Sequence, residues 1–383
     1  MSLGPLDGFT IGITADRRWE QQAELLTRRG ATVLHGPTIS TLYLGSDEDL
    51  RRATLALIER PPDYLVATTG IGMRAWLEAA SASGLSDSLL GALAATKVIA
   101  RGPKAAGAVE AVGLPVWQRS PTEQMEALQS RLLDEPLAGC VVAIQEHGLA
   151  SPRLGATLGA AGATVVAVPV YRWRLPDDPR PALRLIEEAC VGRLNAITFT
   201  SAPAVHNLFA IAGNNGLADQ LLAACNGGMT AACVGPVCAE GARQEGIDMP
   251  LAPDVGRLGL LVRTISEHFE SRRRVYVVDD VELVVQGSVI EVGGVRAELT
   301  PLERSLFDTL AARPGAVVSR STLLVRAWGA AGADPHVLEV TIGRLRRKLG
   351  PAGGAIVTSP GRGYRFAGAG VERLAAQATG GTP

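Results

Sequence analysis

No run of eighteen apolar residues occurs in this 383-residue chain, so no transmembrane helix and no membrane partner are expected. The opening MSLGPLDGFTIGIT has no basic stretch leading into a long apolar one, so no signal peptide is expected and the protein is read as cytoplasmic. Cysteine is scarce and odd in number: Cys140, Cys190, Cys225, Cys233 and Cys238, with no CxxC. That argues against a disulfide framework and for buried, reduced thiols. Cys233 and Cys238 have no His or Cys neighbours in sequence to complete a metal site, and no motif asks for a cofactor. A dominant charge sign is missing too, with 37 Lys and Arg against 38 Asp and Glu. Any surface for nucleic acid must therefore be local. What is present is a globular composition, 47% hydrophobic and 20% charged, long enough for two or three cores.

Residues 9–268 alternate short apolar runs with helical patterns. FTIGIT (9–14), TVLHGPTI (32–39), DYLVATT (63–69), KVIA (97–100), GCVVAIQ (139–145), TVVAVPVY (164–171), NAITFTS (195–201) and TAACVG (230–235) read as strands with helical stretches between them. Near-continuous Val/Ile/Ala strands separated by helices indicate parallel sheets covered on both faces. The pattern repeats: 63–80 matches 195–212, and 97–115 matches 230–248. Each copy is a strand ending in hydroxyl residues, a helix, a second strand, Gly-Pro, a helix and a stop at glycine, which predicts two similar lobes. The domain is expected over 1–270, with lobe one at about 1–38 and 172–268 and lobe two at about 39–171. A basic linker, 271–274, leads to a second domain at 275–368, and an Ala/Gly-rich tail at 369–383 is expected to fray.

The second domain opens with an antiparallel meander over 275–299, turning at Gln286-Gly287 and Gly293-Gly294. A capping box follows, with Thr300 as N-cap, Pro301 at N1 and Glu303 at N3. Two amphipathic helices carry Leu302, Leu306, Phe307 and Leu310, then Leu323, Leu324 and Trp328. In the third helix, 335–349, Leu338, Ile342, Leu345 and Leu349 share one face. The opposite face carries His336, Val340, Gly343, Arg344 and Arg347, with Arg346 and Lys348 on its flanks. Arginines beside a small apolar residue suit the major groove, where arginine pairs with guanine and an aliphatic side chain meets a thymine methyl. A hairpin over 355–366 places Arg362 at its tip. From Leu299 to Phe366 ten Lys or Arg face four Asp or Glu, a local excess of six.

The segments LTPLE, PGAVVSR, LLVRAW, RLRRKL and GRGYRF resemble the winged-helix output domain of OmpR/PhoB-type response regulators over about 95 residues. The resemblance implies double-stranded DNA as partner, 335–349 as recognition helix and 355–366 as wing. It places Val340, Thr341 and Arg344 toward the groove and Arg346 on a phosphate. The wing arginine common in that family falls at Pro360 here, two residues before Arg362.

The first domain lacks the acidic pocket of a receiver: its first strand ends Thr14-Ala15-Asp16 and its next buried strand ends Ala67-Thr68-Thr69-Gly70, so control by phosphorylation is not expected. ITADRRWEQQAELLTRRGATVLHGP (13–37), VATTGIGM (66–73), VPVYRW (168–173), ITFTSAPAV (197–205) and CVGPVCAEGARQEGI (233–247) resemble uroporphyrinogen-III synthase along essentially all of 9–268. The resemblance implies two lobes on extended connectors at about 36–42 and 168–174, with a tetrapyrrole in the cleft. It carries ligand contact onto Thr68, Thr69, Gly70, Gly102, His147, Gly148, Thr200, Ser201 and Gly235, and assistance in hydroxyl loss onto Tyr171. Lys104 adds a positive charge at one of these turns. Helix N-termini there would favour carboxylates. Two threonines usual in that family are Ala105 and Cys238 here, removing two hydroxyl donors.

The fold expected is α/β, a two-lobed synthase-like domain with parallel sheets, plus a C-terminal α+β winged helix-turn-helix domain. The function expected is a DNA-binding regulator that senses a tetrapyrrole or another small anion. The architecture resembles actinobacterial synthase-like regulators of nitrate and nitrite assimilation. The alternatives are a working synthase that cyclises hydroxymethylbilane and also binds DNA, and a synthase-like domain that only forms a homodimer or docks another protein.

Overall fold

The structure, a computed structural model, describes residues 3–43, 48–121, 125–148, 152–329 and 334–371. The backbone divides into two compact units, Met1–Thr38 with Asp177–Pro383, and Ile39–Pro176. The chain begins in the first unit with β1 (Thr10–Ile13), α1 (Trp19–Thr27) and β2 (Thr32–His35).

The second unit follows: β3 (Ser40–Tyr43), α2 (Glu48–Glu59), β4 (Tyr64–Ala67), α3 (Gly70–Ala82), α4 (Ser86–Leu93), β5 (Lys97–Ala100), α5 (Pro103–Glu110), β6 (Val116–Arg119), α6 (Met125–Leu133), β7 (Val141–Gly148), α7 (Pro152–Ala160) and β8 (Thr164–Arg174). Its six strands are ordered β3-β8-β7-β4-β5-β6. All neighbours are parallel except β3, which runs antiparallel to the end of β8 and sets Tyr43 opposite Tyr171 and Ser40 opposite Arg174. Parts of the two expected connectors are thus hydrogen-bonded to each other. Every residue of β4 is buried, as expected of a strand with helices on both faces.

The chain returns to lobe one with α8 (Arg180–Cys190), β9 (Ala196–Phe199), α9 (Ala202–Asn214), α10 (Ala218–Gly227), β10 (Thr230–Cys233), α11 (Pro236–Gln244) and α12 (Leu258–Glu270). The strands form an all-parallel sheet, β10-β9-β1-β2. The strand order reverses between β1 and β9 here and between β4 and β7 in the second unit. Such switch points are where open α/β sheets bind ligands, at the carboxyl ends of the strands. The cysteines are free, with Cys233 and Cys238 buried. A Cys238 hydrogen bond and burial push the Cys233 thiol up, and burial pushes Cys225 up to about 12.

The C-terminal domain is β11 (Arg274–Val278), β12 (Val281–Gln286), β13 (Val289–Val292), β14 (Val295–Glu298), α13 (Pro301–Ala311), α14 (Arg320–Trp328), α15 (Pro335–Lys348), the hairpin β15 (Ile356–Ser359) and β16 (Gly363–Phe366), and β17 (Ala369–Val371). The capping box is formed, with Thr300 accepting from Glu303 and the Glu303 side chain accepting from the Thr300 amide. Asp334 caps α15 by accepting from the His336 amide at 2.9 Å. Tyr276, Phe307 and Phe366 meet edge to face, 5.1–5.7 Å between ring centres, at the centre of the core. Residues 369–371, expected at the start of a fraying tail, instead pair with β11, Val275 opposite Val371. The edge of the meander is thereby covered. The rest of that tail lies outside the described residues.

Candidate functional site

Helix α15 buries Leu338, Thr341, Ile342 and Leu345. Its exposed face carries His336, Val337, Val340, Arg344 and Arg347, with Val337 and Val340 40% and 39% exposed. No Cβ contact awaits at Gly343, where an added methyl would meet nothing within 4 Å. Val340, Arg344, Arg347 and His336 are therefore presented together, as the spacing requires.

Three other expected contacts are placed differently. Thr341 is 7% exposed, and its hydroxyl donates to Val337 O at 2.7 Å, so it packs inside the domain rather than toward a groove. Arg346 donates from Nε and Nη2 to Ile356 O, at 2.9 and 2.6 Å, and from Nη2 to Thr358 Oγ1 at 2.8 Å. Its guanidinium also lies 6.0 Å from the Tyr364 ring centre. Arg346 thus ties α15 to the hairpin β15–β16. Lys348 donates to Glu298 O at 2.7 Å and to Glu303 Oε2 at 2.6 Å. The Glu303 side chain is 3% exposed, so Lys348 neutralises a buried carboxylate. Burial alone would raise the Glu303 carboxyl, but hydrogen bonds from Lys348 and Thr300 hold it below its usual range.

The wing turns at Pro360-Gly361, where Gly361 has φ +71° and the Arg362 amide donates to Ser359 O at 3.0 Å. Arg362 is exposed at the tip. Gly363 cannot be replaced cheaply: at φ +140° its Cβ would lie 2.0 Å from Val318 O, the carbonyl through which the wing is stitched to the loop before α14.

In the second unit the switch point is filled by a side chain that the sequence reading missed. Gln145, fully buried, accepts through Oε1 from the Thr68 and Thr69 amides at 3.0 and 2.8 Å and lies 3.0 Å from Thr68 Oγ1. Thr69 in turn caps α3 by accepting from the Gly72 amide at 3.1 Å. The amides of Thr68 and Thr69, at a turn expected to favour a carboxylate, are taken by Gln145. Gly70 is needed for packing, since a Cβ there would lie 2.2 Å from Lys104 O at the start of α5. Gly102 precedes α5 with no side-chain cap, and Lys104 is exposed beside it. Tyr171 is 4% exposed in the core of this unit, its ring 6.2 Å from that of Trp173. Gly148 ends β7 opposite Arg172 in register, and the side chain of His147 lies outside the described residues.

In lobe one, Ser201 before α9 and Gly235 before α11 also lack side-chain caps. Thr200 and Ser201 are half-buried. The two helices press together closely, since a Cβ on Gly241 would lie 2.5 Å from Ala202 Cβ. Thr14 donates from its hydroxyl to Thr198 O at 2.7 Å across the switch point. The two substituted threonine positions do not face solvent: Ala105 is 2% and Cys238 3% exposed, and the Cys238 thiol donates to Phe199 O at 3.6 Å. A hydroxyl at Cys238 would serve the end of β9 rather than a ligand. Among the described residues no group of three or more His, Cys, Asp or Glu could hold a metal ion. No helix among them is long and apolar enough to cross a membrane.

A two-lobed, parallel α/β domain followed by a winged helix whose third helix exposes a basic face defines a DNA-binding transcriptional regulator with an enzyme-like partner domain. The chain belongs to the uroporphyrinogen-III synthase family: the model for uroporphyrinogen-III synthase HemD matches residues 20–262, more than half of it. The model for the C-terminal domain of transcriptional regulatory proteins matches 294–366. A mutant uroporphyrinogen III synthase from Thermus thermophilus superposes with a TM-score of 0.56 at 32% identity, covering 68% of this chain and 98% of that one. The uncharacterized protein YjjA of Bacillus subtilis is 28% identical over 268 residues, 69% of this chain and 97% of YjjA. The transcriptional regulatory protein PrrA of Mycobacterium tuberculosis is 37% identical over 117 residues, 30% of this chain and 50% of PrrA.

Proposed function

We propose that the synthase-like domain is a sensor: it binds a small anion, a tetrapyrrole carboxylate first among candidates, and alters the affinity of the winged helix for DNA. His336, Val340, Arg344, Arg347 and Arg362 contact DNA in this reading. The regulated genes are those of nitrate and nitrite assimilation, whose sirohaem cofactor derives from uroporphyrinogen III. The observation that carries the sensor reading is the state of the strand-to-helix turns. The N-termini at Gly102, Ser201 and Gly235 lack side-chain caps, and no acidic residue lies in the first turn of α5, α9 or α11. Lys104 stands exposed at one of them. Each such terminus favours a carboxylate by about 0.3–1 kcal/mol. Catalysis is supported less well, because Gln145 occupies the amides at Thr68 and Thr69 and Tyr171 is buried in a core.

The test is calorimetry of the full chain with uroporphyrinogen III, nitrate and nitrite, with incubation in hydroxymethylbilane and analysis of the porphyrin isomers. The sensor reading expects binding of an anion, little turnover, and a changed DNA titration when the anion is present. Turnover comparable to a dedicated synthase would replace it with a bifunctional enzyme. Absence of any anion binding would leave the domain a role in docking or dimerisation.

A further inference from the structure

Residues 3–9 are packed and hydrogen-bonded onto the DNA-binding domain. Strands β11 and β12 carry VYVV and LVVQ, apolar on both faces, so Val275 and Val284 need cover on the side away from the domain's own core, while Val277 stays 39% exposed. One face sends Tyr276, Val278, Leu283 and Val285 into the domain's own core. The other presents Val275 and Val284, and Leu3 from the chain's N-terminal segment closes over them together with Val289.

Polar contacts fix this arrangement. The Ser288 amide donates to Gly8 O at 2.8 Å. Gln286, 1% exposed, donates from Nε2 to both Gly4 O and Asp7 O, at 2.7 and 2.9 Å. Its Oε1 accepts from Arg273 Nε at 2.7 Å, and Arg273 Nη2 donates to Leu3 O at 3.3 Å. Asp7 pairs with Arg296 at 3.2 Å. Two glycines allow the approach. Gly8 has φ +79°, and a Cβ there would lie 2.8 Å from Gln286 O and Val289 N; Gly287 has φ +52°, and its Cβ would lie 2.2 Å from Gly8 O.

The same segment is fastened to lobe one on its other side. The Leu6 amide donates to Arg29 O at 2.9 Å, and the Leu6 side chain is fully buried. The Phe9 ring lies 4.3 Å from that of Phe269 on α12. A Cβ on Gly30 would lie 1.8 Å from Asp7 Oδ1, so the turn after α1 is shaped to hold Asp7.

We infer that residues 3–9 are a latch that locks the winged helix onto lobe one, so that the two move as one body. The latch runs directly into β1, whose far end reaches Thr14 at the switch point of lobe one. The DNA-binding domain is then steered by β1 as well as by the covalent link at 271–273. This holds whatever ligand lobe one takes, and its failure would leave the sensor reading standing.

The test is amide hydrogen exchange and scanning calorimetry on the full chain and on Leu3→Ser, Gln286→Ala and Gly8→Val. The wild type is expected to protect residues 3–9 and the Ser288 amide as strongly as β1 and β12, and to melt lobe one and the winged helix together. Leu3→Ser and Gln286→Ala should speed exchange at Ser288 and at residues 3–9 at least tenfold, in step, with β4 of the second unit unchanged. Gly8→Val should separate the two melting transitions; if it does not fold, the two milder variants decide. Unprotected exchange of residues 3–9 in the wild type would overturn the inference. Unchanged Ser288 protection in both Leu3→Ser and Gln286→Ala would overturn it equally.

Discussion

Arg346→Ala separates a structural arginine from a DNA-contacting one. Its guanidinium makes two hydrogen bonds to Ile356 O and one to Thr358 Oγ1, and Ile356 is 1% exposed. Removal leaves a buried carbonyl without its donor, which costs about 1–3 kcal/mol. Arg346 is itself half-buried, so water replaces part of what is lost, and a net loss of about 2 kcal/mol is expected. At 1.36 kcal/mol per factor of ten, that is about 30-fold in a local opening equilibrium. The Val318 and Tyr364 amides, which bond reciprocally to each other's carbonyls at 2.8 and 3.0 Å, report that opening. Hydrogen exchange at these two amides should accelerate about 30-fold by the same conversion, with little change in β1 or β4. Unchanged exchange, with DNA affinity falling and the salt slope dropping by about one, would overturn the structural role of Arg346. It would mean that Arg346 leaves the wing for a phosphate when DNA binds.

Other outcomes follow from α15 and its partners. Arg344→Ala should cost roughly 1–3 kcal/mol at a specific site and relax base preference, whereas Arg347→Ala should weaken specific and random sequences alike; fluorescence anisotropy on both kinds of DNA distinguishes them, and identical behaviour of the two variants would count against this facing of the helix. Gly343→Ala should stabilise the helix by up to about 1 kcal/mol, since its Cβ meets nothing, yet weaken DNA binding if this face enters the groove; unchanged affinity would place the groove elsewhere. Glu303 has a lowered folded-state pKa, so its contribution to stability is present above the unfolded carboxylate value of about 4.3 and is lost as pH falls through the lower folded value. Lys348→Met should destabilise the winged helix at pH 7 by stranding the carboxylate and should flatten its acid-side loss; an unchanged urea midpoint at pH 7 would contradict the pairing.

Much of this was legible in the sequence. The repeat at 63–80 and 195–212 became β4–α3 and β9–α9, and the capping box at Thr300 formed as spelled. Periodicity identified the buried stripe of α15 because burial repeats with the helix. It could not say which flanking charges find distant partners: Arg346 bonds a carbonyl ten residues on, and Lys348 a carboxylate 45 residues back. The resemblance, not the spacing, set Thr341 toward the groove, but a threonine in a helix can satisfy its hydroxyl on the carbonyl four residues earlier and then be buried. Gln145 gave one faint signal, a polar residue ending a buried strand. Its partners at Thr68 and Thr69 lie across a parallel pair that only the strand order brings together. The latch was invisible for the same reason, since Leu3 and Val284 meet only when the fold returns to its own beginning.

If the synthase-like domain governs the winged helix, a bound anion must change how the full chain titrates one DNA fragment. The fragment is selected from random sequence by the protein itself, and the titration is run at fixed salt without ligand and with saturating uroporphyrinogen III, nitrate or nitrite. Specific binding is expected to weaken steeply with salt, and the apparent affinity to shift several-fold when the tetrapyrrole is present. Specific binding unchanged by the tetrapyrrole, nitrate and nitrite alike would contradict the sensor reading. Absence of specific binding under every condition would show that the winged helix does not read DNA sequence and would leave nothing for the sensor to govern.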